Sequence, residues 1–330
     1  MIRRLLNARV RSALLWIIVA AGPLFALSVV DASVWDRELT TTTLGLLAGA
    51  VALLSASVVG LGVAWRMILQ GLADRPVDGG VRVFVYTWLA RYIPGTVPYH
   101  AARLLAADSL GVTRGQVGAS IGYEAILVLG MAGLAGVVGI VVGVGLQTGN
   151  ALLYVTAGLF LGALPLALHP AVLVPMTNRL LMVAGRPPLA ADAALTAKQT
   201  FGVAITYGAV LLATGLSFYL VAQAVTDEPP NIALAIGAYC LASAIGMAAP
   251  FVPSGLGVRE GVVVALLSGT MPADTVLVAA GTARAVSIVA DILPPALLAG
   301  FDLMTRGRTA RRRQDISLPG DGAGLEAGGG

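Results

Sequence analysis

The chain has few of the residues that form disulfides or bind metals. Its 330 residues include one cysteine, Cys240, and two histidines, His100 and His169. A single cysteine cannot form a disulfide within one chain, and neither histidine lies near a cluster of other ligand residues. We therefore expect no disulfide framework, no metal site and no cofactor.

Charged residues are also scarce, at 12% of the chain, whereas hydrophobic residues reach 57% and the mean hydropathy is +0.87. A soluble domain has about a quarter of its residues charged. The net charge of +4 is too small to indicate nucleic acid, and basic residues at the ends of apolar segments suit anionic lipid headgroups. Because a helix satisfies its own backbone in lipid, this composition predicts an all-α integral membrane protein.

The apolar segments predict a helical bundle of about six full spans. These are residues 14–30, 44–69, 116–146, 151–168, 201–225 and 273–303. A cleaved signal peptide is the alternative interpretation of the first segment. The polar stretch 179–198 contains Pro187 and Pro188 and is predicted to be a cytoplasmic loop.

Arginines precede the first predicted span and follow the last one. Five of them lie between residues 306 and 313. Positive residues stay on the cytoplasmic side, so the pattern predicts a multi-pass plasma-membrane protein with both termini in the cytoplasm. We expect a transmembrane domain at 1–303 and a basic, disordered cytoplasmic tail at 304–330.

Two further apolar stretches are broken in the middle. The first, 81–110, is interrupted at Pro94 and Gly95; the second, 232–270, at Pro253, Gly255 and Gly257. The arms of these stretches are too short to cross about 30 Å of hydrocarbon comfortably. The pattern predicts two broken re-entrant hairpins.

The two hairpins belong to a predicted inverted repeat, with repeat one at about 44–146 and repeat two at about 201–303. Each hairpin precedes a long helix with an ionisable residue, Glu124 in the first and Arg284 in the second. Basic residues flank the first hairpin, whereas the second follows the acidic loop 226–231, which indicates opposite faces of the membrane. Inverted repeats with broken helices are typical of transporters.

Several ionisable residues fall at predicted membrane depth: Arg91, Glu124, Arg259, Glu260, Arg284 and Asp291. Each central arginine or aspartate costs about 2.5–3.5 kcal/mol in lipid unless it is paired, hydrated or bound to a ligand. One interpretation is structural, with ion pairs that hold the hairpins. The other is a polar cavity in which arginines bind an anionic lipid headgroup, because a guanidinium donates two parallel hydrogen bonds to a phosphate.

Several polar and aromatic residues fit a position at the membrane surface. Arg91, Arg103 and His100 lie near the first break, where long side chains reach the cytoplasmic headgroups. Trp65 and Trp88 lie near predicted helix ends, as interface anchors do. The pattern Gly139-x-x-x-Gly143 is expected to allow close packing between helices of the same chain.

The segment Pro250-Phe-Val-Pro-Ser-Gly-Leu-Gly-Val-Arg-Glu-Gly261 resembles the P-x-P-G-G-L-G-x-R-E signature of a flippase-like family related to the transmembrane region of lysylphosphatidylglycerol synthases. Arg91-Tyr-Ile-Pro-Gly-Thr-Val-Pro resembles the family's R-Y-x-P-G-x-x-G. Pro98, Ser254 and Ala125 depart from the usual Gly, Gly and Arg. The resemblance covers roughly residues 44–303 and implies translocation or binding of a lipid.

The lipids that the resemblance implies are an anionic or aminoacylated phospholipid or a polyprenyl-phosphate-linked sugar. No synthase domain follows in this sequence, so the synthase reaction is not implied. Two alternatives stay open. One is a membrane-embedded enzyme on a lipid-linked substrate with Glu124, Glu260 or Asp291 as acid or base, although no nucleophile–base pair is recognisable. The other is a scaffold for a partner membrane enzyme, and an oligomer is possible.

Overall fold

A computed structural model describes residues 40–93, 97–148, 151–183, 185, 194–248, 255 and 257–316. The described residues form α-helices and short 3₁₀ turns, with no β-strand among them. This confirms the predicted all-α class. The first predicted span, 14–30, and the hairpin breaks at Pro94, Gly95 and Pro253 lie outside the described residues.

The first half of the described chain runs through four helices. Their bounds are α1 Thr41–Ala73, α2 Gly80–Thr87, α3 Val97–Leu105 and α4 Arg114–Thr148, with a 3₁₀ turn at Trp88–Tyr92 after α2. Helix α1 begins where the Thr40 hydroxyl accepts a hydrogen bond from the Thr43 N–H at 3.1 Å. At 33 residues it is about 50 Å long, enough to cross a bilayer, whereas α3, with 9, is not.

The second half repeats this order of long and short helices. After α5 Ala151–Ala167 and α6 Pro170–Val183 come α7 Ala197–Val225, α8 Ile232–Met247, α9 Val258–Leu267 and α10 Ala273–Ile316. A capping box between Thr196 and Gln199 starts α7, and the Asn231 carboxamide accepts from two N–H groups at the start of α8. The order long, short, short, long is therefore the same in α1–α4 and α7–α10.

Four helices of the described residues are long and apolar enough to span a membrane: Thr41–Ala73, Arg114–Gly145, Ala197–Val225 and Ala273–Thr305. They match four of the predicted spans. The predicted span 151–168 corresponds to the shorter α5. Two expectations differ from the structure. Helix α6 extends to Val183, into the stretch predicted as a loop, and α10 extends to Ile316, so residues 304–316 of the predicted disordered tail are helical.

The two halves pack against each other through several pairs of helices. Helix α1 packs along α7, α4 packs along α8, and α10 contacts both α1 and α2. The contact between α4 and α8 is backbone to backbone: a Cβ added to Gly139 would lie 2.6 Å from the Gly237 Cα. The predicted packing role of Gly139-x-x-x-Gly143 is confirmed, because Gly143 similarly approaches Leu234.

The second break leaves two glycines in the described residues. Gly255 has φ +65° and Gly257 φ +82°, conformations that favour glycine. A Cβ on Gly255 would also lie 3.0 Å from the Gly246 Cα, so the segment after the break lies directly against the end of α8. This contact holds α8 and α9 together at the side of a cavity.

Candidate functional site: a charged cavity between the two halves

The helices of both halves surround a cavity of about 320 Å³. Five of the six predicted site residues line it: Arg91, Glu124, Arg259, Arg284 and Asp291. They come from the turn after α2, from α4, from α9 and from α10, so distant parts of the sequence converge here. Arg284 and Asp291, seven residues apart on α10, face the same cavity, as their helical spacing predicts.

The sixth predicted residue, Glu260, lies beside this cavity without lining it. It borders a separate void of about 10 Å³ together with Arg259, Arg284 and Tyr239. Its Oε2 accepts a hydrogen bond from the Gly257 N–H at 2.7 Å, and the side chain is nearly fully buried. Glu260 therefore caps the N-terminus of α9, where a negative charge also complements the helix dipole.

The cavity wall combines polar and apolar side chains. Thr214, Ser243 and Ser287 line it, but their hydroxyls donate to carbonyls of their own helices at 2.7–2.8 Å. Apolar side chains form much of the remaining surface, among them Leu54, Val58, Leu61, Val128 and Leu129. A molecule with a charged end and an apolar part matches such a surface better than a fully polar solute does.

Asp291 joins α10 to the turn after α2. Its two carboxylate oxygens accept hydrogen bonds from the Trp88 indole N–H at 2.8 Å and the Tyr92 hydroxyl at 2.5 Å. The Arg91 guanidinium lies 3.9 Å from the same carboxylate and 4.3 Å from the Trp88 ring. Trp88 and Arg91 are three residues apart, one full repeat of a 3₁₀ turn, and therefore lie on the same side of it. This cluster links the first half to the second.

Arg103 and Glu124 form the most deeply buried ion pair of the described residues. Both Arg103 Nη atoms donate to the Glu124 carboxylate, and Arg103 is 0% exposed. Its guanidinium also lies over three aromatic rings, at 4.0 Å from the Tyr99 centroid, 4.3 Å from Phe84 and 5.1 Å from Trp65. The guanidinium is therefore enclosed by protein groups, and only its buried Nε has no hydrogen-bond partner among the described residues.

The buried position of Arg103 corrects the expectation that it sits at the headgroup level. The expectation that Trp65 and Trp88 are interface anchors is also wrong, because Trp65 is 0% exposed and Trp88 is 8% exposed. Trp65 donates to the Ser120 hydroxyl at 2.9 Å inside the bundle. His100, by contrast, lines the cavity.

Arg259, at the start of α9, has few protein partners in the part of the chain that the structure describes. No carboxylate of those residues lies within 4.0 Å of it, and its Nε has no hydrogen-bond partner there. Its guanidinium lies 4.0 Å from the centroid of the Tyr239 ring. The Tyr239 ring holds this cation at the cavity wall, and no carboxylate of the described residues neutralises it within 4.0 Å.

Sequence reasoning missed the aromatic partners of the buried charges. These are Trp88 for Arg91, Tyr99 for Arg103, Tyr239 for Arg259 and Tyr92 for Asp291. The i, i+4 spacing of Tyr99 and Arg103 was a usable signal. In the described ranges, no group of three or more His, Cys, Asp or Glu residues is placed to bind a metal.

A family model described as the lysylphosphatidylglycerol synthase transmembrane region matches residues 12–294. No curated protein gives a significant match to the chain.

Proposed function

The chain belongs to the family of the lysylphosphatidylglycerol synthase transmembrane region, and on that premise we propose that it binds and translocates a lipid with an anionic headgroup. The headgroup enters the cavity between the two halves while the acyl chains stay in the bilayer. The observation that carries the proposal is the convergence of Arg91, Arg259 and Arg284 on one intramembrane cavity.

The charge balance of the cavity favours an anion. Three arginines line it, against the two carboxylates of Glu124 and Asp291. Both carboxylates are already engaged, Glu124 by the buried Arg103 and Asp291 by Trp88 and Tyr92. A phosphate or a comparable anion supplies acceptors for Arg259, which has no carboxylate within 4.0 Å among the described residues, and a guanidinium binds it with two parallel hydrogen bonds.

The setting favours a lipid over a soluble anion. The cavity lies among membrane-spanning helices, and its wall has an apolar part formed by residues such as Leu54 and Val128. Ionisable residues at membrane depth are costly, so an arginine kept there without a carboxylate partner suits a functional site. A lipid also satisfies the apolar wall, which an inorganic anion does not.

The arrangement of helices supports transport by alternating exposure of this cavity. Both halves have the order long, short, short, long, and α4 packs on α8 while α10 contacts α2. In a two-fold relation between the halves, α1–α4 correspond in order to α7–α10. The contact of α4 with α8 then corresponds to that of α10 with α2, and the contact of α1 with α7 corresponds to itself. We propose that the halves are inverted copies with both chain termini in the cytoplasm and the hairpins inserted from opposite faces of the plasma membrane.

The enzyme alternative has less support. Its candidate acids and bases, Glu124, Glu260 and Asp291, each accept hydrogen bonds from protein groups, and Glu260 caps α9. Arg259, which the anion-binding role requires, has no carboxylate within 4.0 Å among the described residues. We therefore propose transport as the function, with membrane lipids as the partners.

The proposal is tested in vesicles of phosphatidylcholine that contain a small share of fluorescent phosphatidylglycerol. Addition of a membrane-impermeant quencher reports how much labelled lipid reaches the outer leaflet. We expect Arg259→Ala to lower the initial rate about 10- to 100-fold at low lipid content, the loss of one charge-assisted contact. Arg259→Lys keeps the charge but lacks the planar fork of the guanidinium, so its initial rate is expected to lie between those of the wild type and Arg259→Ala.

The matched control is Arg114→Ala. Arg114 pairs with the Asp108 carboxylate, its side chain is 62% exposed, and it does not line the cavity. This variant is expected to translocate like the wild type. Equal rates for wild type and a correctly folded Arg259→Ala variant would contradict the proposed function.

A further inference from the structure

Three arginines in or beside the cavity lie over aromatic rings, but only two of them also have a carboxylate nearby. The guanidinium-to-centroid distances are 4.3 Å for Arg91 on Trp88, 4.0 Å for Arg103 on Tyr99 and 4.0 Å for Arg259 on Tyr239. Arg91 and Arg103 have Asp291 and Glu124 within 4.0 Å. Across the described ranges, Arg259 has the ring and no carboxylate at that distance.

The ring under Arg259 is itself fixed. Tyr239 stacks on Phe218 with a centroid distance of 4.7 Å and an interplanar angle of 11°. Both side chains are buried, at 3% and 1% exposure, in the cluster between α7, α8 and α10. Because the two rings are parallel and enclosed by packed side chains, the Tyr239 face cannot turn away from the guanidinium without disturbing the core.

A second contact from the same helix holds the stem of Arg259. A Cβ added to Gly246 would lie 3.5 Å from the Arg259 Cβ, so the α8 backbone lies against this side chain. Tyr239 and Gly246 are two helical turns apart and thus share a face of α8. One helix face therefore supports both the stem and the charged end of Arg259.

Among the described residues, no side chain or carbonyl accepts a hydrogen bond from the Arg259 Nε. A guanidinium is planar and its N–H groups point outward in that plane. Its central carbon lies over the Tyr239 ring, which contacts the cation without providing a lone-pair acceptor for those groups. Arg259 lines the larger cavity, and Tyr239 does not. The ring thus orients the arginine without contacting what the cavity contains.

We infer that Tyr239, supported by Phe218, is a positioning residue that presents the Arg259 guanidinium edge-on to the phosphate of a lipid headgroup. The inference rests on the proposed function. Stacking reduces the number of conformations that Arg259 must lose on binding, so it acts on lipid affinity. The aromatic face, and not the phenol hydroxyl, performs this role.

The test compares Tyr239→Phe and Tyr239→Leu in vesicles of phosphatidylcholine with increasing fluorescent phosphatidylglycerol. Leucine keeps an apolar side chain but removes the ring face, whereas phenylalanine keeps the face. For Tyr239→Leu we expect the half-saturating lipid fraction to rise about 5- to 30-fold, the range for loss of a desolvated cation–π contact. The maximal rate is expected to stay unchanged, and Tyr239→Phe is expected to match the wild type in both quantities.

Tyr219→Leu is the matched control. Tyr219 packs against the same core cluster, but its hydroxyl accepts from Gln223 at 3.3 Å. Its variant is expected to keep the wild-type half-saturating fraction, so a shift confined to Tyr239→Leu separates positioning from a general loss of packing. A loss of maximal rate with an unchanged half-saturating fraction, or equal effects of Phe and Leu, would overturn the inference.

Two further arms separate the possible failures. If Arg259→Ala abolishes translocation and Tyr239→Leu behaves like the wild type, the positioning role is wrong and the proposed function stands. If Arg259→Ala is itself without effect, the proposed function fails. Glycerol phosphate in solution serves as the second probe. If it inhibits translocation at low millimolar concentration and inhibits the Tyr239→Leu variant more weakly, the protein recognises the phosphate itself. If it inhibits the wild type and Tyr239→Leu equally, the result counts against the positioning role.

Discussion

Removal of one partner from the ion pair between Arg103 and Glu124 provides a sharp test of the structure. Arg103 is 0% exposed and Glu124 is 13% exposed at the cavity wall. Loss of one partner from a buried pair costs about 3–5 kcal/mol, because the other charge stays in the interior without compensation. Glu124→Gln leaves the fully buried cation, whereas Arg103→Met leaves a carboxylate that cavity water can reach.

The expected order follows from these exposures. Glu124→Gln should lower the free energy of unfolding by about 3 kcal/mol, near the low end of the range, because the aromatic rings around Arg103 still stabilise its charge. Arg103→Met should cost less. The double variant should be more stable than Glu124→Gln alone, since no unpaired buried charge remains.

The assay is thermal unfolding in mild detergent, followed by size-exclusion chromatography of the heated samples. With an unfolding entropy of about 2.1 cal/mol/K per residue, a loss of about 3 kcal/mol corresponds to a melting temperature roughly 4 °C lower for 330 residues. Arg114→Ala, which breaks an exposed pair, is expected to shift the free energy of unfolding by no more than about 0.5 kcal/mol. Additive destabilisation in the double variant, or a stable Glu124→Gln variant, would refute the buried pairing.

Two other changes test the contacts between the halves. Asp291→Asn removes the charge that attracts Arg91 but keeps an acceptor for Trp88. We expect faster opening of the link between α10 and the turn after α2, measured as stronger quenching of tryptophan fluorescence by aqueous acrylamide. Unaltered quenching would argue against the link. Gly237→Leu places a side chain where a Cβ would already lie 2.5 Å from the Ile140 backbone nitrogen. We expect this variant to lose the folded peak in size-exclusion chromatography. A normal peak would show that α4 and α8 do not pack so closely.

The sequence predicts the long helices well because their apolar runs exceed the length needed to cross lipid. It also predicts the shared face of Arg284 and Asp291, since a spacing of seven residues is two helical turns. Helix α6 escapes prediction because Pro175 and Arg179 lie inside it, and such residues in an otherwise apolar stretch resemble a loop.

The pairing of charges is what the sequence predicts least. Arg103 and Glu124 come from different helices, and only tertiary packing decides that they meet and that Arg103 is enclosed by aromatic rings. The capping role of Glu260 was accessible, because a glutamate three residues after Gly257 at the start of a helix has the spacing of a cap. Once these partners are assigned, Arg259 is a predicted site arginine that lies on an aromatic ring and has no carboxylate within 4.0 Å among the described residues.

The most direct test of an anion-binding cavity is to identify the lipids that stay with the protein. Wild type and Arg259→Ala are purified in mild detergent and their bound lipids are quantified by mass spectrometry. We predict that the wild type retains a stoichiometric amount of an anionic lipid, enriched over the membrane from which it came, and that the variant loses this enrichment. Identical lipid profiles for both proteins, matching the bulk membrane, would contradict the proposal.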